Sequence, residues 1–169
     1  MSIPQSSDAR ARRIEEISEQ VGRDLATKTV LFHHHLAARL GLSVTDLKCL
    51  DLLRTARLPL TAKNLADRIG LTGGAITGVV DRLEAAGFVE RVRDPEDRRR
   101  WELRPLPDRQ HEVMALFAPL TDAMVELAAG YDDHQLDAIA GFLDGLGRIL
   151  DDQIDALRDG ASAGGAAGT

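Results

Sequence analysis

Cysteine is nearly absent from this chain of 169 residues, in which Cys49 is the single thiol. One cysteine excludes an intrachain disulfide framework and a cysteine-rich zinc module, and it agrees with a reducing compartment. Long apolar runs are also missing: none approaches the roughly 20 residues of a membrane span, and the N-terminus lacks a signal-peptide pattern. We therefore expect a cytoplasmic protein without a membrane partner.

Catalytic patterns are missing as well. The sequence offers no nucleophile with a matching base, no phosphate-binding loop and no metal-ligand cluster with workable spacing. His33, His34 and His35 are consecutive, and successive helical residues point about 100° apart, so the three cannot jointly ligate one ion. We expect no enzyme activity, no bound cofactor and no metal site.

Basic residues are outnumbered by acidic ones, 21 to 27, which gives a formal net charge of −6. An acidic balance argues against a nucleic-acid partner only where the charge is evenly spread. Here residues 1–53 are neutral, residues 54–104 carry +3 and residues 105–169 carry −9. Six arginines fall within residues 90–104, so this short segment differs electrostatically from the rest of the chain.

The N-terminal third has a helical pattern. Apolar residues at spacings of three, four and seven predict a long helix over residues 8–40. Ser43 is a natural N-cap for a second helix over residues 44–54. The short apolar segment 58–61 contains a proline, which favours a brief extended strand over a helix.

Two short helices follow, each with a threonine before its first residue and a glycine after its last. Thr61 and Gly70 bound the first helix, and Thr72 and Gly87 bound the second. The two helices are joined by residues 70–72 alone and share apolar positions. This spacing is typical of a helix-turn-helix.

Residues 88–93 then alternate apolar and charged side chains, residues 94–97 have turn composition, and residues 99–104 alternate again. We expect a two-stranded hairpin with a basic tip. Further helices are predicted over residues 108–130 and 133–158, and the chain ends in a segment rich in glycine and alanine.

Three fragments stand in a fixed order here: LADRIGL in the first short helix, DRLEAAGFVER from the second helix into the hairpin, and DPEDRR at the hairpin tip. With their flanking helices, over residues 42–146, they resemble the MarR family of winged-helix transcription regulators. The resemblance implies a mainly α fold, in which a winged helix-turn-helix lobe with a small β hairpin is flanked by N- and C-terminal helices that form a dimerisation region.

The implied organisation has four parts. Residues 1–42 form an N-terminal dimerisation helix, residues 43–105 the DNA-binding domain, residues 106–158 the C-terminal dimerisation helices, and residues 159–169 a flexible tail. The resemblance implies a homodimer that represses nearby genes by binding a pseudo-palindromic, double-stranded operator and is released by a small-molecule effector. A winged-helix module for protein interaction, with weak or no specific DNA binding, is the alternative.

The hairpin tip is the clearest candidate for DNA contact. Arg98, Arg99 and Arg100 follow Asp97, and such a tip can place a guanidinium in a narrow minor groove. The family pattern, in which an acidic residue orients the arginine two positions later, maps to Asp97 and Arg99. We expect Arg93 and Arg98 to meet phosphates. The alternative is a solvated turn with internal ion pairs.

The second short helix, which corresponds to the family's recognition helix, departs from the family pattern. Where serine, threonine and arginine are common, this chain has Gly73, Gly74, Ala75 and Gly78. Base readout is left to Thr72, Thr77 and Arg82, while Ala75 could touch a thymine methyl. We expect specificity weighted toward DNA shape and the hairpin tip.

Other candidates have two open interpretations. Lys63, Asn64, Arg54 and Arg57 are either phosphate contacts or solubilising surface residues.

The histidine run has two interpretations. It lines an effector pocket where the first helix meets the dimerisation region, or it consists of ordinary surface or interface residues. For Cys49, among leucines, we expect a buried and unreactive thiol.

Overall fold

The chain is mainly helical with one small antiparallel hairpin, as its sequence predicts. The computed structural model describes the backbone of residues 5–164 and the side chains of residues 8–158. Within that part of the chain, no helix is long and apolar enough to cross a membrane.

The N-terminal helix is continuous but changes its winding partway. Helix α1 (Gln5–Glu19) passes through a π-helical segment (Gln20–Leu25) into α2 (Ala26–Arg39). The sequence predicts the helix but not the π segment. A π turn accommodates an extra residue without breaking the helix, so apolar spacing alone does not reveal it.

Three helices follow as predicted: α3 (Val44–Thr55), α4 (Ala62–Ile69) and α5 (Gly73–Ala85). Side-chain caps fix where they begin. Ser43 Oγ accepts from the Asp46 N–H and the Asp46 carboxylate accepts from the Ser43 N–H, at 3.1 and 3.0 Å. Thr61 and Asn64 form the same reciprocal pair, and Thr72 accepts from the first turn of α5. Each cap satisfies amides that the helix leaves unpaired.

Gly70 and Gly87 set the directions of the chain after α4 and α5. Their φ angles are +71° and +72°, in the left-handed region where a Cβ is strained. The backbone therefore turns sharply between α4 and α5, and again between α5 and the hairpin.

The hairpin pairs β1 (Val89–Arg93) with β2 (Trp101–Pro105), with Val89 opposite Pro105 and Arg93 opposite Trp101. We expected a second strand from residue 99, but the tip occupies residues 94–100. The strand expected over residues 58–61 is a single bridge in which the Leu103 N–H donates to the Leu60 carbonyl at 2.8 Å. Pro59 lacks an N–H, which prevents a longer ladder.

One apolar core holds α2 to α5 and the hairpin together. Its fully or nearly fully buried side chains come from every one of these elements: Leu36, Leu47, Leu50, Leu65, Val80, Leu83, Phe88, Val89 and Leu103. Burying such a side chain contributes about 1.5–3 kcal/mol. The opposite face of α5 is thereby left to solvent.

A buried charge lies within this core. Asp46 is 1% exposed, and its carboxylate accepts from Arg82 Nε at 3.2 Å and Nη2 at 2.7 Å. Burial alone raises the pKa of Asp46, but hydrogen bonds from Arg82 and Ser43 outweigh burial and hold the pKa below its ordinary 3.8. The pair ties the start of α3 to α5.

The C-terminal part contains α6 (Pro107–Ala128) and α7 (Asp133–Gly164). The chain divides into two compact units, 1–110 and 111–169, so the division falls inside α6. Helix α7 runs past its predicted end at residue 158, which corrects the start of the expected tail. Alanine favours helix and each glycine costs only about 1 kcal/mol, so a helix of this length can continue. Residues 165–169 of that tail lie outside the described backbone.

Removing the charge of Asp46 tests whether its pair with Arg82 holds α3 against α5. We expect Asp46→Asn to lower the free energy of unfolding by about 1.5–3 kcal/mol at neutral pH, as for a hydrogen bond to a charged group. Because the folded pKa is lowered, the stabilisation is complete above the unfolded pKa of about 3.9 and is lost as pH falls through the folded pKa. Urea titrations at one protein concentration should show the two proteins converging below about pH 4.

The matched control is Asp51→Asn, which breaks exposed pairs with Lys48 and Arg54 on the same helix. This substitution should lower the free energy of unfolding by less than about 1 kcal/mol. Equal losses for the two variants would contradict the tie.

The thiol of Cys49 should be unreactive in the folded protein. Its side chain is fully buried, and burial, with the charge of Asp46, raises its pKa to about 11. A thiol-specific reagent at pH 8 should label it only after addition of urea, because about one molecule in a thousand carries the reactive thiolate. Rapid sulfenic acid formation in peroxide, seen by mass spectrometry, would contradict this expectation.

Candidate nucleic-acid interface

The N-terminal half of α5 presents a small, polar surface. Its exposed positions are those singled out from the sequence: Thr72, Gly73, Gly74, Ala75 and Thr77. The Thr77 hydroxyl donates to the Gly73 carbonyl at 2.8 Å, and its oxygen keeps lone pairs directed to solvent. Thr72 Oγ1 accepts from the Ala75 N–H at 3.3 Å, so its own proton remains available. One threonine can accept and the other can donate.

Packing does not require the glycines of α5. A Cβ built at Gly73 or at Gly74 would meet no atom within 4 Å, and at Gly78 it would meet Arg82 Nη1 at 3.5 Å, an ordinary contact. Glycine weakens a helix relative to alanine by about 0.5–1 kcal/mol. The first turn of α5 therefore has an exposed backbone, although packing does not require glycine at these positions.

The structure gives Arg82 a different role from the base contact we expected. Its guanidinium donates two hydrogen bonds to Asp46, through Nε and Nη2, while 56% of the side chain remains exposed. Sequence separation hides such a pair, since Asp46 lies on α3. The base contact expected of Arg82 stays a prediction, and the ion pair gives this residue a structural role beside it.

The tip of the hairpin is held by its own backbone and two aspartates. The Asp94 carboxylate accepts from the N–H groups of Glu96 and Asp97 at 2.8 and 3.2 Å, and these bonds lower the pKa of Asp94. The Asp97 carboxylate accepts from the Arg99 N–H at 3.0 Å. Asp97 thus contacts Arg99 through its backbone N–H, and the family pattern, in which the acidic residue orients this arginine, has a geometric counterpart here.

The tip arginines divide into two groups. Arg93 lies over the Trp101 ring at 4.7 Å and donates to the Arg98 carbonyl at 3.0 Å, while Arg100 lies 3.9 Å from Asp94. Arg98 and Arg99 are exposed, and no acidic side chain of residues 8–158 pairs with either. Arg93 braces the tip, and the phosphate contact expected of it stays a prediction. Within the described part of the chain, Arg98 and Arg99 are the two tip guanidinium groups without such internal contacts.

The structure brings the tip next to α4. A surface cleft of about 530 Å³ is lined by Lys63 and Asn64 on one side and by Arg99, Arg100 and Trp101 on the other. The Asn64 side chain accepts from Thr61 in the cap of α4, so its oxygen has a structural role. Lys63 is the remaining α4 candidate for phosphate.

A second cleft, of about 610 Å³, has Arg57, Arg68 and Arg100 in its lining. Arg54 lies outside both clefts and pairs with Asp51 at 3.1 Å. Arg57, and not Arg54, therefore shares a cleft with an arginine of the basic tip.

Two residues of this surface were missed by the sequence reasoning. Trp101, 45% exposed, is the sole tryptophan and stacks with Arg93 across the strands. Arg91 joins β1 to α5 through Asp81 and Glu84. The alternating pattern of the strand places Arg91 and Arg93 on one face, which was the available signal.

The histidine run lies on α2. His33 is half-buried and its Nδ1 donates to the Thr29 carbonyl at 2.7 Å, whereas His34 and His35 are exposed with their rings 5.6 Å apart. Among the described residues, no group of three or more His, Cys, Asp or Glu side chains could hold a metal ion.

Known proteins match this arrangement. The sequence model of the MarR family matches residues 42–101. The HTH-type transcriptional regulator YcgE of Bacillus subtilis (strain 168), itself uncharacterized, is 39% identical over 145 residues, which cover 86% of this chain and 94% of that protein.

Solved structures share the fold. A MarR family protein from Bacillus stearothermophilus superposes with a TM-score of 0.66 at 19% identity, covering 83% of this chain and 97% of that one. A mutant of S. aureus MepR bound to an oligodeoxyribonucleotide gives a TM-score of 0.56 at 16% identity, covering 78% and 96%. MarR family regulators are non-enzymatic and bind DNA, typically as dimers. The chain belongs to this family and is a transcriptional regulator with a DNA-binding winged-helix fold.

Proposed function

We propose that this protein is a homodimer that represses nearby genes by binding a pseudo-palindromic operator, and that a small molecule releases it. The observation that carries the proposal is the pair of unpaired guanidinium groups, Arg98 and Arg99, on the lobe that also exposes the first turn of α5. Both groups of residues are placed by one core, so they act on one duplex as a unit.

The N-terminal half of α5 enters the major groove in this proposal, as recognition helices do. Thr72 and Thr77 meet base edges, and the glycines allow the backbone to approach the DNA closely. The tip inserts Arg99 into the adjacent minor groove, while Arg98 and Lys63 meet phosphates. Narrow, A·T-rich minor grooves favour such an arginine because their potential is more negative.

Dimerisation is supported by the apolar surface of the C-terminal helices. Leu143, Leu150 and Leu157 of α7 are spaced by seven residues and are 53–74% exposed. A stripe of this length on a lone helix is unfavourable in water and is buried when helices pair. We assign dimerisation to residues 1–42 and 106–158. A two-fold dimer then reads half-sites about 10 base pairs apart.

A small-molecule effector completes the proposed function. We assign its pocket to the level of His33, His34 and His35, where α2 leads into the DNA-binding lobe. The polar ring edges of these residues suit an anionic or hydrogen-bonding ligand. The free arginines argue against the alternative of a protein-interaction module, since such a module has no need of an unpaired basic tip.

Binding to the DNA upstream of the protein's own gene tests the function. We expect a complex at low salt, in which the effect of Arg99→Ala is largest on A·T-rich sequence under the tip. Arg98→Ala is the matched control: it should weaken all sequences about equally and lower the salt dependence of the binding constant.

Fluorescence anisotropy with labelled duplexes, over a range of salt concentrations, measures both quantities. No complex at low salt would favour the interaction module. Equal affinities of Arg99→Ala and the parent protein would remove Arg99 from the minor groove.

Replacing Gly74 tests the placement of α5. Gly74→Ser and Gly74→Ala should both fold, with stability raised by up to about 1 kcal/mol because helix propensity improves and the Cβ meets no atom. We expect both to bind the parent operator less tightly, and the serine variant alone to acquire a changed base preference through its hydroxyl. Selection from a randomised operator library measures the preference. Identical profiles for all three proteins would contradict the placement of α5 in the groove.

A further inference from the structure

Arg91 links the hairpin to α5 more directly than any residue the sequence singles out. Its guanidinium pairs with Asp81 through Nη2 and with Glu84 through Nη1. Its backbone N–H also donates to Glu84 Oε1, at 3.4 Å. Three donors of one β1 residue therefore meet two carboxylates that lie about one turn apart on α5.

The two carboxylates lie in an unusual position, near the C-terminal end of a helix. Asp81 and Glu84 occupy the last turns of α5, next to the negative end of the helix dipole, where acidic residues are unfavourable. Helix formation alone does not account for them. Pairing with Arg91 does, and these same partners raise the pKa of Arg91.

Stability is a weak reason for this cluster. The side chains of Asp81 and Glu84 are 60% and 41% exposed, and exposed ion pairs contribute little to folding. A planar guanidinium that bridges two carboxylates does fix geometry, because its donors have set directions. The cluster therefore restricts how the hairpin sits against α5.

Fixing the hairpin against α5 also fixes the position of the tip. Buried Phe88 and Val89 hold the base of the hairpin in the core, and Arg91 lies two residues further along β1. The tip begins just beyond, at Asp94, and is braced internally by Asp94 and by Arg93 over Trp101. A rigid tip on a hairpin fixed at two points keeps a set distance from α5.

We propose that Arg91 is a positioning residue for DNA recognition: by holding Asp81 and Glu84, it sets the angle of the hairpin so that α5 and Arg99 reach adjacent grooves of one duplex together. The proposal rests on the proposed function, since it presumes that Arg99 contacts DNA. Arg91 itself touches no base in this arrangement and acts through the tip.

A double-mutant cycle with Arg99 tests the proposal on the full-length protein and the upstream duplex. In the parent protein, Arg99→Ala should weaken binding by at least about fivefold. In an Arg91→Met background, the same change should weaken binding less than threefold, because the misplaced tip no longer delivers Arg99. Arg91→Lys should give an intermediate value, since one ammonium group cannot bridge both carboxylates with fixed directions.

A second route removes the partners instead. Asp81→Asn combined with Glu84→Gln keeps side-chain size and should reproduce the loss of DNA affinity seen with Arg91→Met. Adding Arg91→Met to this double variant should cause no further loss. Lys48→Met is the matched control, because it breaks an exposed ion pair with Asp51 away from the tip. It should leave both the affinity and the effect of Arg99→Ala unchanged.

The outcomes separate the two claims. If Arg99→Ala costs the same factor with and without Arg91, the positioning role is overturned while the proposed function stands. If Arg99→Ala costs nothing in the parent protein, the minor-groove contact fails and the positioning role fails with it. A structural defect in Arg91→Met would lower affinity without changing the cost of Arg99→Ala, so it too would count against the proposal.

Discussion

The hydrogen-bonded charge of Asp46 is the constraint on which the DNA-facing lobe depends. A carboxylate that is 1% exposed is tolerated only because Ser43 and Arg82 supply donors to it. One side chain thereby starts α3 and fixes α5 against α3. The apolar core and this ion pair together orient α5, and that orientation decides which of its residues face solvent. The position of the exposed first turn therefore depends in part on a buried charge on another helix.

Local signals made much of this lobe predictable. Ser43, Thr61 and Thr72 each stand before a helix and each caps it, and Gly70 ends α4 in the left-handed conformation that glycine favours. Such signals act over three or four residues, and the sequence displays them directly. The family pattern then supplied what local signals lack: the order of helices and hairpin around one core.

Interactions between distant residues account for what the sequence did not predict. Arg82 was expected at the DNA because it stands on α5, yet its partner Asp46 is 36 residues away. Arg93 stacks on Trp101 across the hairpin, a contact that its place in a basic segment does not reveal. An arginine in a basic segment has the same sequence signature whether its guanidinium is paired or free. The fold alone distinguishes them, and it leaves Arg98 and Arg99 unpaired.

The distribution of rigid and permissive elements suggests how recognition is divided. The C-terminal half of α5 is held from two sides, by Asp46 through Arg82 and by β1 through Arg91, whereas its first turn carries Gly73 and Gly74 with nothing packed against them. A surface with so few side chains can follow the backbone of DNA closely but distinguishes few bases. In the proposed dimer, discrimination then falls on groove width and on how the duplex bends between the two tips. The net charge of −6 works against non-specific binding to DNA, so in the proposed dimer the affinity depends on the two basic tips.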